Sequence, residues 1–239
     1  MINIYLTRSD AYAYLYNRRY LTHGVIDIQK IKDWEKEYAL ETDDVLIICG
    51  DFGGVWYGDD RDNEELDMWA EKPYTILFVD GNHENHDALA TYPVVEVYGG
   101  AAHKIRPNLY HLMRGEIFTV EGKTFFAMGG ARSTDRHLRT PYLDWWPDEM
   151  PSKQEYDHAI SNLEECEWKV DYIISHCADS HALWKIDKFF NNDELTKFFA
   201  FIKDMYYLEY DKHFFGHYHL DAEIDDKNIA VYNKVIRVI

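Results

Sequence analysis

Four short apolar runs each end in residues that can bind a metal ion or move a proton. Residues 45–49 lead into Gly50 and Asp51, residues 75–79 into Asp80, Gly81, Asn82, His83 and Glu84, residues 172–174 into Ser175 and His176, and residues 213–215 into Gly216, His217, Tyr218 and His219. Singly these mean little, because an Asp after a strand is often a helix cap and a lone His is more often a satisfied core or surface residue than a ligand. Together they offer one carboxylate, one amide oxygen and three or more imidazoles, a mixed oxygen and nitrogen set that suits manganese, iron or zinc rather than calcium. Gly50, Gly81 and Gly216 lie beside these residues and let the backbone turn sharply where a side chain must point inward.

Such residues meet only if the strands that carry them bring their carboxyl ends to one crevice. Buried strands are expected at residues 2–6, 45–49, 75–79, 172–174 and 213–215, each an apolar run bounded by turn residues. Between them, Ile28, Ile31 and Trp34, then Tyr156, Ile160 and Leu163, then Leu195, Phe198, Phe199 and Ile202 repeat at helical spacing. Strands alternating with helices imply a largely parallel sheet. Residues 116–120 and 123–128 flank Glu121-Gly122, and residues 225–228 separate two further apolar runs that end at Ile239, so other strands are antiparallel. The fold class expected is α/β, two mixed β-sheets packed as a sandwich with flanking helices. No repeat, low-complexity tract or linker interrupts the chain, so residues 1–239 read as one domain.

The formal charge of −18 argues against long DNA or RNA as a substrate, since so acidic a chain repels a phosphate backbone. Two divalent cations would cancel only about four charges, so most of the acidity is solvated surface. No apolar run reaches the roughly eighteen residues of a membrane span, and no secretory leader is evident; a cytoplasmic protein without membrane attachment is expected. Cys49, Cys166 and Cys177 are an odd set at wide spacing, which fits reduced thiols better than a disulfide framework or a zinc site. The 19 Tyr and 7 Trp read as packing, Trp145 and Trp146 among them, and the acidic stretch 59–65 as a solvated loop and helix start. Oligomeric state is left open.

In order, Gly50-Asp51, Gly81-Asn82-His83-Glu84, His176 and Gly216-His217-Tyr218-His219 resemble the motif blocks of the calcineurin-like metallophosphoesterase family, over about residues 2–219. The resemblance implies that family's four-layer fold, two divalent metal ions (Mn, Fe or Zn) and a small phosphorylated substrate. It implies Asp51 bridging both metals, Asn82, His176 and His217 on one ion, His219 on the other, and His83 facing the substrate. Two cations roughly 3.5–4 Å apart share a bridging hydroxide, make it nucleophilic near neutral pH and clamp phosphoryl oxygens for in-line attack on a phosphomonoester or phosphodiester. Asn82 and His83 then supply donors to the developing charge, and His83 can protonate the leaving oxygen.

The chain departs from the family pattern in two places. The first block should read Asp-x-His-Gly after the first strand, but Leu21 precedes Thr22-His23-Gly24, and Tyr-Leu-Thr occurs at both 5–7 and 20–22, as if residues 8–21 were inserted. In one register residues 2–6 form the strand and Asp10 replaces the missing carboxylate beside His23; in the other, residues 14–21 form it and no Asp is available. The first is preferred, because Arg18 and Arg19 fit poorly in a buried strand. The second metal site is therefore weak or empty, which leaves as an alternative a degenerate member that binds a phosphorylated ligand or protein partner without turnover. The other departure follows Asp51, where Phe52-Gly53-Gly54-Val55-Trp56 replaces the Gly-Asp-x-x-Asp-Arg-Gly of phosphoprotein phosphatases. Finally, residues 129–139 combine glycines with Arg132, Arg136 and Arg139. Either they clamp phosphate, with Arg132 nearest the strand end, or they are ordinary loop charges.

Overall fold

The computed structural model describes residues 4–7, 28–37 and 40–238. One mixed sheet is built on three parallel strands, β1 (Ile4–Thr7), β2 (Val45–Cys49) and β3 (Thr75–Val79). It is extended by β4 (Val94–Val97), β5 (Gly100–Arg106) and β6 (Leu109–Leu112), with β6 parallel to β3 and β4 at the edge. The second sheet contains β7 (Ile117–Val120), β8 (Lys123–Met128), β9 (Tyr172–Ser175), β10 (Lys212–Phe215), β11 (Ala222–Glu223) and β12 (Asn228–Ala230). Their order is β11-β12-β10-β9-β8-β7, parallel through the middle and antiparallel at both edges; β13 (Ile236–Arg237) returns to pair with β1 in the first sheet.

Alternate residues of each central strand enter different cores, the consequence of the two-residue repeat of a strand. Val45, Ile47, Cys49, Leu77 and Val79 face Phe125, Ala127, Tyr172, Ile174 and Phe214 between the sheets. On the outer face of the first sheet, Leu46, Ile48, Ile76 and Phe78 pack against Ile31 and Trp34 of α1 (Ile28–Glu37) and Leu66 and Trp69 of α2 (Asn63–Ala70). On the outer face of the second, Phe126, Met128 and Ile173 meet Ala159 and Leu163 of α4 (Lys153–Glu165) and Leu195, Phe199 and Ile202 of α6 (Glu194–Met205). Burial on both faces explains why these strands read as unbroken apolar runs. Two short helices, α3 (His86–Leu89) and α5 (Ser180–Ile186), follow β3 and β9. Among the described residues no helix is long and apolar enough to cross a membrane.

The strand expected at 2–6 is present as β1, parallel to β2. Asp10, His23 and the rest of the inserted stretch 8–21 lie outside the described residues. One expectation needs correction. Asp62, read as part of a solvated acidic loop, is buried and accepts the backbone N–H groups of Trp56, Tyr57 and Gly58. A turn with three inward N–H groups needs an acceptor, and a carboxylate satisfies all three. Trp146 packs as expected, edge-on against Trp56 at 5.2 Å.

Candidate metal centre

Register places the functional residues at one level. Cys49 of β2 pairs with Val79 of β3, so Asp51 and the 80–84 turn leave the first sheet side by side. In the second sheet Ser175 pairs with both Met128 and Phe215, so Gly129, His176 and Gly216 emerge together. The two sheets meet where His176 Nδ1 lies 2.8 Å from the carbonyl oxygen of Cys49. Glycine is required for that approach: a Cβ at Gly50 would strike the His176 ring, and one at Gly81 would strike Asp51 Oδ1. Gly50 also has φ +87°, which a side chain would strain.

The hydrogen bonds of this cluster fix what it can hold. A carbonyl only accepts, so His176 Nδ1 carries a proton and Nε2 is the nitrogen that faces inward. That nitrogen lies 3.2 Å from Asp51 Oδ1 and 3.2 Å from Asn82 Oδ1. The Asn82 orientation follows from its neighbours: the Ser133 hydroxyl donates to Glu149 Oε2 at 2.5 Å, so Ser133 Oγ accepts from Asn82 Nδ2 at 3.1 Å. Two acceptor oxygens thus meet a ring nitrogen able to ligate, an arrangement that a cation satisfies, and a carbonyl held against the far ring nitrogen is the usual support of a metal-binding His. The donor set fits a transition-metal ion.

His217 brings its ring to 5.0 Å from that of His176. His219 is exposed and stacked on Tyr232 at 5.1 Å. Asp51, His217 and His219 adopt φ of 54°, 65° and 54°. Three expected ligands thus take the sparsely populated left-handed region, as Tyr98, Glu121 and Tyr142 do elsewhere. Among the described residues no three His, Cys, Asp or Glu side chains gather as a metal cluster; the third donor to the Asp51–His176 pair is the Asn82 amide. His83 is buried and donates its backbone N–H to Asp51 Oδ1 at 3.0 Å. Burial lowers its imidazole pKa to about 4 against the raising effect of Asp51, so it is neutral at neutral pH. Glu84 accepts from the N–H groups of Phe52 and Gly53, tying the two ligand turns together; burial, with Asp51 adding to it, pushes its carboxyl well above the usual range.

Several supporting residues carry no local sequence signal. Arg114 holds Asp80 through Nη2–Oδ2 at 2.5 Å and Nε–Oδ2 at 3.0 Å and donates to the Asp148 carbonyl at 2.7 Å. Burial alone would raise the Asp80 carboxyl, but Arg114, His111 and His86 outweigh it and hold it below the ordinary carboxylate range. Arg114 thus joins the start of the 80–84 turn to the segment bearing Glu149, which sets Ser133 and through it Asn82. A second chain stands behind His176. Lys203 Nζ, a donor only, reaches Asp179 Oδ2 at 2.6 Å and His213 Nδ1 at 2.9 Å. His213 Nε2–H then donates to Ser175 Oγ at 2.7 Å, and Ser175 donates to the Cys177 carbonyl, fixing the segment on which His176 lies.

Of the three arginines in 129–139, Arg139 is engaged by Asp135 and the Asp144 carbonyl. Arg132 and Arg136 line a cavity of about 480 Å³ together with His217. A family model described as calcineurin-like phosphoesterase matches residues 22–221. No curated protein matches the chain.

Proposed function

The chain belongs to the calcineurin-like phosphoesterase family, and from that premise we propose that it hydrolyses a small phosphomonoester or phosphodiester with two divalent cations, manganese, iron or zinc, as cofactors. The observation that carries this reading is the approach of Asp51 Oδ1 and Asn82 Oδ1 each to 3.2 Å from His176 Nε2. Asp51, Asn82, His176 and His217 would hold one ion. Asp51 and His219 would hold the other, with His23 and Asp10 as its further ligands. Bound cations supply activation of a water near neutral pH and offset charge on the phosphoryl oxygens.

The chain's own groups do the rest. Neutral His83 has one N–H to offer the leaving oxygen as a hydrogen bond or a proton. Arg132, which makes no hydrogen bond or ion pair among the described residues, takes phosphoryl oxygens in a planar fork. Where a phosphoprotein phosphatase carries a second Asp and an Arg three and four residues after the first, this chain has Gly54 and buried Val55, which favours a small substrate over a phosphoprotein. A second reading, ligand binding without turnover, is favoured by Leu21 standing where the family's first block carries Asp.

Assays with 4-nitrophenyl phosphate and bis(4-nitrophenyl) phosphate, with and without manganese, test the proposal. Metal-dependent hydrolysis that falls about a hundredfold or more in His83→Ala is expected. Failure to hydrolyse either ester in the presence of metal would overturn it in favour of the binding reading.

A further inference from the structure

The cavity beside His217 has two unlike walls. One carries Arg132 and Arg136, whose guanidinium groups make no hydrogen bond or ion pair among the described residues. In a chain of net charge −18, two such groups next to a metal ligand form a local anion receptor. The other wall is the loop between α5 and α6. There Phe189 is 83% and Phe190 42% exposed, and Tyr218 meets the Phe190 ring at 5.7 Å and 81°. An edge-to-face contact covers at most one face of that ring, so the other can accept a stacking partner.

Asn191 and Asn192 follow, also exposed, with carboxamides that make no hydrogen bond among the described residues. The loop is pinned at both ends, by Phe189 N–H on Asp187 Oδ1 and by the reciprocal capping of Asp193 and Thr196. Its aromatic rings and amides are thus presented toward the arginines by a fixed frame. The volume is that of a small-molecule site rather than a polymer groove.

We infer that this cavity binds the nucleoside part of a nucleotide phosphoester, with Arg132 and Arg136 on phosphate oxygens, the base stacked on Phe190, and Asn191 and Asn192 on the base edge. The inference rests on the phosphoesterase reading for turnover, not for binding. An alkyl group would leave the carboxamides unpaired, a sugar has hydroxyls for them but no π face for the exposed ring, and a plain phenyl ring has no polar edge for them. A nucleobase matches all three features, since a carboxamide both donates to and accepts from a base edge. In turnover, water adds to phosphorus, the bond from phosphorus to the nucleoside oxygen breaks, and that oxygen leaves with a proton.

The test compares nucleoside monophosphates with ribose 5-phosphate, which keeps the phosphate and sugar and lacks the base. With manganese-loaded protein, kcat/KM for the nucleotides should exceed that for ribose 5-phosphate by about tenfold or more, and this ratio should fall about tenfold in Phe190→Ala and in Asn191→Ala/Asn192→Ala. A ratio near one, or a ratio unmoved by these variants, overturns the inference. If no ester is hydrolysed, the phosphoesterase reading fails and fluorescence titration decides the cavity's role. Tighter binding of AMP than of ribose 5-phosphate, lost in Phe190→Ala, supports the base pocket, and equal binding refutes it.

Discussion

Replacing Arg114 with Met should cost more stability than any single surface change. The guanidinium and its partner Asp80 are 6% and 1% exposed, and they meet through two nitrogens. Arg114→Met keeps the volume of the stem but leaves a buried carboxylate facing His111 at 3.2 Å and His86 at 3.7 Å, and removes the donor to the Asp148 carbonyl. Breaking a buried pair in this way costs about 3–5 kcal/mol, a large part of the roughly 5–15 kcal/mol available to a domain, and lowers Tm by about 6–20 °C. The sign of the pH dependence follows from Asp80. In the native protein its carboxyl is held low, so its stabilisation is present above its unfolded pKa of about 3.9 and is lost as pH falls through the folded value. Without Arg114, burial raises that carboxyl instead, and the variant loses stability as pH rises. Urea denaturation should therefore show a wider gap between wild type and variant at pH 7.5 than at pH 4.5. Asp80→Asn/Arg114→Met, which removes both charges, should recover at least about 1 kcal/mol over Arg114→Met. A single-variant cost below about 1 kcal/mol, or a double variant no more stable than the single, would refute the reasoning.

Three other outcomes are expected. Gly81→Ala drives a methyl group into Asp51, so aryl phosphate turnover should drop about a hundredfold or more while circular dichroism stays native; retained turnover would contradict the packing. Glu65, which burial and Asp62 lift to about 7, loses stability for the fold as pH rises from its unfolded value of about 4.3 through 7. Glu65→Gln should therefore be more stable than wild type by about 1–3 kcal/mol at pH 8 and show a flatter pH profile in urea titrations. Lys203→Met leaves buried Asp179 without its cation, at a cost of about 3–5 kcal/mol by thermal denaturation, and should also weaken metal binding by releasing the segment that carries His176.

The parallel strands were legible because burial on both faces leaves a continuous apolar run, and β2 and β3 occupy the expected residues 45–49 and 75–79. The extension through 94–112 was not, since its edge strand β4 alternates exposed and half-buried residues around Glu96 and carries no strong apolar signal. Within the site, Asp51, Asn82 and His176 meet as their spacing implies, because each follows a strand whose register fixes its height. The partners that hold them are set by tertiary contact alone. Arg114 lies 34 residues from Asp80, and nothing local distinguishes it from a surface arginine. Likewise, charge alone separated neither buried Asp62 from its exposed neighbours Asp59 and Asp60 nor the engaged Arg139 from Arg132.

The central claim is that Asp51, Asn82, His176 and His217 form a metal site, and titration of manganese into wild-type and His176→Ala protein by calorimetry tests it most directly. Saturable binding in the wild type, weakened at least about tenfold in His176→Ala with its fold intact, is the predicted result. Equal affinity in the two proteins would contradict it.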